Sequence, residues 1–308
     1  MSLYRNTLNG YKYLKWSRTE TFCYLLRRIT EKAKICPSYF EKLYHQSRLN
    51  TLNRFLDKGN NCFDFNGARI PNISDSGEKL VALRAIFEDV LLILCHYNEN
   101  YSKELVRHLD EMMIEGPYGY VDENVDVRVK EGDIVIDAGA WIGDFSAYSA
   151  VKNATCYAFE PTKETYDLLC ETKELNNTKG KIIPVRYGLG DTNTSLNIVK
   201  YDDNTMSNKI MQADHNNNDE GDIIKVVTLD SFVETNGIEK VDFIKSDIEG
   251  FERNLLMGAT NVMKKFAPKL AICTYHLPDD PEVLESIIKK ANPDYNVVHL
   301  KHKLFASV

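Results

Sequence analysis

Hydrophobic positions recur along this chain with two different periods, and the change falls near residue 116. Before it the spacing is helical. Phe22, Leu25, Leu26 and Ile29 form one stripe, and Pro37 stands where a second helix, over 39–57, can begin before Gly59 ends it. Residues 60–77, rich in Asn, Gly and Asp, read as loop. The strongest helix follows over 76–97, apolar nearly all round at Val81, Leu83, Ile86, Phe87, Val90, Leu91, Ile93 and Leu94, so it needs covering on several sides. A last helix over 101–115 stops at Gly116-Pro117. Residues 1–115 are therefore expected to be an all-helical cap or oligomerisation region.

From Tyr120 the pattern alternates strand, turn and helix, which predicts an α/β domain over 116–308 built on a doubly wound, mostly parallel sheet. Strands are expected over 125–129, 134–138, 155–159, 181–187, 195–200, 223–228, 241–246, 269–275 and 295–300. Helices fall over 144–151, 163–175, 249–265 and 280–291. The polar stretch 201–222, with three consecutive asparagines at Asn216, Asn217 and Asn218, reads as a hairpin extension or a lid.

Charge narrows the partners. A formal net charge of -7 provides no basic stripe for nucleic acid and fits small or neutral substrates better. The 7 cysteines (Cys23, Cys36, Cys62, Cys95, Cys156, Cys170, Cys273) include no CxxC pair and suggest a reducing compartment. The N-terminus lacks an apolar signal core, and the stretch 80–95 is broken by Arg84, Glu88 and Asp89, so neither secretion nor a membrane span is expected. The expected location is the cytoplasm.

The chemistry begins in EGDIVIDAGAWIGDFSAYSAVKNATCYAFE, residues 131–160. A buried strand runs into a turn bracketed by Gly139 and Gly143, then a helix, then a second strand that delivers Glu160 to where a carboxylate can accept from both ribose hydroxyls of an adenosine. A dinucleotide site would show GxGxxG under a pyrophosphate. Here the turn reads Asp137, Ala138, Gly139, Ala140, Trp141, Ile142, Gly143, and a carboxylate at Asp137 repels a diphosphate while favouring an ammonium group. S-adenosylmethionine carries such a group and no phosphate. A reductase of the short-chain type should also place YxxxK well downstream, whereas Tyr11 with Lys15 and Tyr148 with Lys152 fall before and inside the first sheet helix. The methyl donor is the favoured ligand; a dinucleotide-dependent oxidoreductase and a non-catalytic cofactor-binding scaffold remain as alternatives.

Two later blocks supply the other wall of a crevice. VDFIKSDIEGFE ends a strand on Asp247 and Glu249, and Asp247 is read as functional because its strand should neighbour that of Asp137. Glu252 is given to helix capping, which acidic residues at a helix start commonly perform. KLAICTYHLPDD ends a strand on His276, placed to take a hydroxyl proton. Asp247, Glu249 and His276 could converge on a divalent metal, but no compact ligand motif fixes their geometry and the balance is against one. Tyr118 and Tyr120, just before the sheet, are candidates to close over a sulfonium.

Taken in order, DAGAWIGDF, YAFEP, RYGLGD, VVTLDSF, DFIKSDIEGFERNLLMGA and PKLAICTYH resemble the FkbM family of S-adenosylmethionine-dependent methyltransferases across about residues 116–290. The resemblance implies a class I (Rossmann-like) methyltransferase sheet of seven strands with an antiparallel last strand, and O-methylation of a hydroxyl on a sugar, glycan or polyketide. Carried over by position, Asp137, Gly139, Ala140 and Gly143 match the first cofactor loop. Glu160 with Pro161 matches the ribose contact, and Gly188, Leu189 and Gly190 the adenine edge. Asp247 and Glu249 match the acidic motif beside the methyl group. Trp141 departs from the small or amide residue usual in that turn, leaving open whether its ring lies beneath the cofactor or faces substrate.

Overall fold

The computed structural model describes residues 55–65, 67–72, 106, 107, 110, 117–177, 180–200, 208–211 and 222–308. The stripe at 22–29 and the helix expected over 76–97 lie outside these residues; of 101–115, Val106, Arg107 and Asp110 are helical. The expected role of this region in oligomerisation also rests on residues outside the description.

The all-helical expectation fails at 56–71. Strands β1 (Leu56–Asp57), β2 (Cys62–Phe65) and β3 (Ala68–Pro71) form an antiparallel three-stranded sheet in which β2 pairs with both neighbours. The Asn, Gly and Asp that read as loop are its turns: Asp57 accepts from the Gly59 and Asn60 backbone N–H groups, and Asp64 accepts from that of Gly67. Between those turns, β2 buries Cys62, Phe63 and Phe65 and leaves Asp64 partly exposed.

Strands β4 (Tyr120–Val121) and β5 (Asp126–Val127) pair as a short hairpin ahead of the main sheet. Then come β6 (Ile134–Ala138), α1 (Asp144–Val151), β7 (Thr155–Phe159), α2 (Lys163–Leu175) and β8 (Lys181–Val185). A second sheet holds β9 (Gly188–Leu189), β10 (Thr194–Lys200), β11 (Asn208–Met211) and β12 (Asp222–Val227). The antiparallel pairing of β10 with β11 and with β12 accords with a hairpin extension; 201–207 and 212–221 lie outside the described residues. The chain continues through α3 (Leu229–Thr235), β13 (Phe243–Ser246), α4 (Glu252–Met257), α5 (Thr260–Phe266), β14 (Lys269–Cys273), α6 (Asp280–Ala291), β15 (Asn296–His299) and β16 (Lys303–Ser307).

The seven-stranded sheet has the order β8-β7-β6-β13-β14-β16-β15, parallel except for β16, which runs antiparallel to both neighbours. This is the Rossmann-like class I arrangement. Strand β16 and helix α3 were not anticipated from the hydrophobic pattern, and the helix expected over 249–265 is divided at Gly258, which lies against Gly190: a Cβ there would sit 1.9 Å from the Gly190 carbonyl oxygen. One hydrophobic cluster lies on each face of the sheet; Phe145, Leu169 and Phe243 belong to one, Ile244, Leu255 and Leu284 to the other. No helix among the described residues is long and apolar enough to cross a membrane.

The small β1–β3 sheet is docked on the main domain. Phe63, Phe65, Ala68 and Ile70 join the cluster that includes Phe145 and Tyr148 of α1 and Leu169 of α2. Asn176, just past α2, fixes the register: its Oδ1 accepts from the Arg69 N–H at 2.9 Å and its Nδ2 donates to the Arg69 carbonyl at 2.7 Å. Replacing Asn176 with Ala leaves both Arg69 backbone groups unmatched and is expected to cost about 1–3 kcal/mol. Urea unfolding measures the loss, and faster amide exchange confined to 56–71 would locate it.

Candidate active site

The C-terminal ends of β6, β7, β13 and β14 open on one crevice, where an open parallel sheet presents its loops to ligands. Two of these loops touch. Gly139 has φ +73°, and a Cβ on it would lie 1.9 Å from the Asp247 carbonyl oxygen, so only glycine lets the β6 turn pass the β13 turn. The Asp247 N–H donates to the Ala138 carbonyl at 3.1 Å and closes the junction. On the other side, Gly139 and Ala140 donate to the Phe159 carbonyl at the end of β7. Gly143, at φ +89°, turns the chain into α1.

Glu160 buttresses this turn. Its carboxylate accepts from the Trp141 N–H at 3.1 Å and from the Thr162 N–H at 2.9 Å, around a tight bend at Pro161. Burial pushes the Glu160 carboxyl up, against the lowering effect of those hydrogen bonds. Trp141 holds a left-handed conformation, φ 50°, and packs against the core cluster. Its buried Nε1 has no hydrogen-bond partner among the described residues.

Beneath the turn lies a buried ion pair. Asp137 is 0% exposed, accepts from the Ser146 hydroxyl at 2.6 Å, and sits 3.1 Å from the Lys245 ammonium on the neighbouring strand β13. Lys245 also donates to the Gly139 carbonyl at 2.5 Å. Burial works to lower its pKa, but Asp137, Asp247 and Asp144 together outweigh that and hold it above the ordinary lysine value. The charge of Asp137 is thus met from inside the protein by Lys245. Asp144, in the first turn of α1, has its carboxyl pushed up to about 6, chiefly by burial.

Tyr118 is buried, its ring 5.0 Å from the Lys245 ammonium and 5.8 Å from that of Lys303. Its hydroxyl donates to Asp247 Oδ2 at 2.7 Å. Tyr275 donates to Asp247 Oδ1 at 2.8 Å, so two phenols aim this carboxylate. Burial raises the Asp247 pKa, but Lys245, His276 and the tyrosines prevail and keep it below the usual range. Tyr120 is buried and stacked on Phe305, away from any covering role.

His276 does meet Asp247 and Glu249, as expected, and also a third carboxylate. Nε2 lies 3.6 Å from Asp247 Oδ1 and 3.7 Å from Glu249 Oε2, while Nδ1 lies 3.1 Å from Glu252 Oε1. Asp247, Glu252 and His276 can bring one ligand atom each within 4.8 Å of one another. The arrangement is that of an imidazole in an acidic socket. Burial would lower the His276 pKa, yet the carboxylates, Glu252 first and then Asp247 and Glu249, raise it to about 8.

The remaining cofactor candidates, Gly188 and Leu189, form β9 and pair in parallel with β12, outside the main sheet. Sequence reasoning missed Lys245, Ser146 and Tyr275, and assigned Glu252 to its helix. One signal was available: a lysine inside the apolar strand FIKS needs a buried counter-charge.

Comparison with known proteins follows the same blocks. The family model described as the methyltransferase FkbM domain matches residues 137–295. The chain is 28% identical over 174 residues to the hexuronic acid methyltransferase AglP of Haloferax volcanii, covering 56% of this chain and 68% of that one. It is also similar to the crystal structure of methyltransferase FkbM from Methylobacillus flagellatus KT, at 20% identity and a TM-score of 0.47, covering 86% of this chain and 60% of that one.

The ion pair makes a sharp expectation. Lys245→Met strands the Asp137 carboxylate in the core and should cost about 3–5 kcal/mol in chemical denaturation. Adding Asp137→Asn to that variant should restore much of the loss; equal instability of the single and double variants would show that the pair is not the cause.

Proposed function

This chain belongs to the FkbM methyltransferase family, and from that premise we propose that it transfers a methyl group from S-adenosylmethionine to a hydroxyl of a sugar or related polyhydroxylated acceptor. The observation that carries the reading is one sheet edge bearing both a glycine turn buttressed by Glu160 and, across the Gly139 junction, the Asp247–His276 cluster. Helix α1 opens on Asp144, an acidic first turn that disfavours a pyrophosphate there and argues against a dinucleotide. The sugar acceptor is taken from the name of the Haloferax relative.

S-adenosylmethionine, when bound, supplies a methyl carbon on a sulfonium, a leaving group that needs no further activation. The protein's part is to orient the reactants and keep water out. Glu160 stands just past β7 and beside the glycine turn, where ribose hydroxyls would donate to its carboxylate. The glycines at 139 and 143 let a ligand approach the backbone. At the acceptor end, His276 takes the hydroxyl proton on Nε2 as the oxygen bonds to the methyl carbon and the carbon–sulfur bond breaks. Asp247 and Glu249, which face Nε2, stabilise the imidazolium that results.

Isothermal calorimetry with S-adenosylmethionine tests the ligand. Wild type should bind, and Glu160→Ala should weaken binding at least about tenfold, since charge-assisted hydrogen bonds to the ribose are lost; no heat from wild type would sink the reading. The acceptor step has a pH signature, because only neutral His276 can take a proton. With its pKa raised to about 8, turnover should climb about tenfold between pH 7 and 9 and then level off. A pH-independent rate across that interval would remove His276 from the role of base.

A further inference from the structure

The two phenols that hold the Asp247 carboxylate, Tyr118 on Oδ2 and Tyr275 on Oδ1, each pack against a residue at the start of β16. The Lys303 ammonium lies 5.8 Å from the centroid of the Tyr118 ring, and the His302 ring meets that of Tyr275 edge to face at 6.3 Å. One residue grips both. Asp110 Oδ1 lies 3.3 Å from the Lys303 ammonium, Asp110 Oδ2 accepts from the His302 N–H at 3.0 Å, and the Asp110 carbonyl oxygen lies 2.6 Å from His302 Nδ1. We propose that Asp110 is a positioning residue for Asp247, holding Lys303 and His302 against the two tyrosines so that the carboxylate keeps its aim.

Attachment of the segment that carries Asp110 does not require this pair. Val106 joins the core cluster that contains Tyr118 and Phe305, and Arg107 donates to the Tyr120 hydroxyl at 3.3 Å. Asp110 and Lys303 are nevertheless buried, 1% and 0% exposed. Desolvating two such ions costs about what their attraction returns, so a well-packed apolar pair would fasten the segment equally well. An apolar pair would not seat an ammonium against an aromatic face while fixing the neighbouring backbone N–H. Asp110, Tyr118, His302 and Lys303 all fall outside residues 137–295, the part matched by the FkbM model, whereas Asp247 and Tyr275 fall inside it. The support of the acidic motif therefore comes from chain on both sides of the matched segment. The consequence for catalysis rests on the proposed methyl transfer, but the link from Asp110 to the two phenols depends on no cofactor or acceptor.

Hydroxyl-proton exchange of the tyrosines tests it, read in the full chain by nuclear magnetic resonance with tyrosine carbon-13 labelled at the ring carbon that bears the hydroxyl. Tyr295 is the control: its hydroxyl donates to the Pro268 carbonyl at 2.7 Å in the cluster on the other face of the sheet. Asp110→Asn keeps an oxygen for the His302 N–H but removes the charge beside Lys303. It should speed exchange at Tyr118 about tenfold or more and leave Tyr275 within about twofold of wild type. Asp110→Ala removes both grips and should speed Tyr118 and Tyr275 alike, with Tyr295 unchanged in each variant. Unchanged exchange at Tyr118 in Asp110→Asn would overturn the proposal. Equal acceleration at Tyr295 would also overturn it, since that marks a loss of general stability. If the variants do not fold, wild type in low denaturant decides: the His302 amide and the two phenols should open as one unit with a common free energy, and separate openings would overturn the proposal. None of these readouts involves S-adenosylmethionine or an acceptor, so failure of the methyl-transfer reading is seen separately, by calorimetry.

Discussion

Everything at the crevice hangs on a lysine where an apolar strand would have none. Lys245 bridges the two strands whose ends make the site, pairing with Asp137 on β6 while standing two residues from Asp247 on its own strand's exit. Its remaining hydrogen-bonding capacity goes to the Gly139 carbonyl, so the ammonium fixes the path of the glycine turn as well as balancing a charge. Such a pair is weak evidence of stability, because desolvating both ions costs about what their attraction returns. Its contribution is to geometry: with both charges buried, neither turn can shift without stranding the other.

The charge of the site is unevenly distributed around that pair. The crevice floor is balanced, with Asp137 against Lys245 and the Tyr118 ring lying between two lysines. The wall beside it is acidic, with Asp247, Glu249 and Glu252 around one imidazole. An imidazole in that setting carries a proton readily and releases it reluctantly, which favours a strong base at the expense of the fraction present as base near neutrality. The same wall is hospitable to the cationic sulfonium and to hydroxyl donors, and it discriminates against free phosphates.

Sequence patterning reached the main sheet almost strand for strand, because parallel strands buried on both faces produce apolar runs such as IVIDA and FIKS that little else mimics. It also placed Glu160, Asp247 and His276 just past strand ends, where the structure has them. It could not reach the tertiary partners of polar residues. Asp137 reads as an open carboxylate until β13 brings Lys245 beside it, and Glu252 reads as a cap until the loop at Glu249 and Gly250 folds it toward His276. The β1–β3 sheet was hidden for a different reason: strands of two to four residues separated by Asn, Asp and Gly carry too few positions to register a period.

That small sheet rests on α1 and α2 together, and the N-termini of those helices are the glycine turn and the bend after Glu160. The two helices that carry those turns are thus braced from outside, at Val151 and Asn176, by a three-stranded sheet that itself holds none of the candidate site residues.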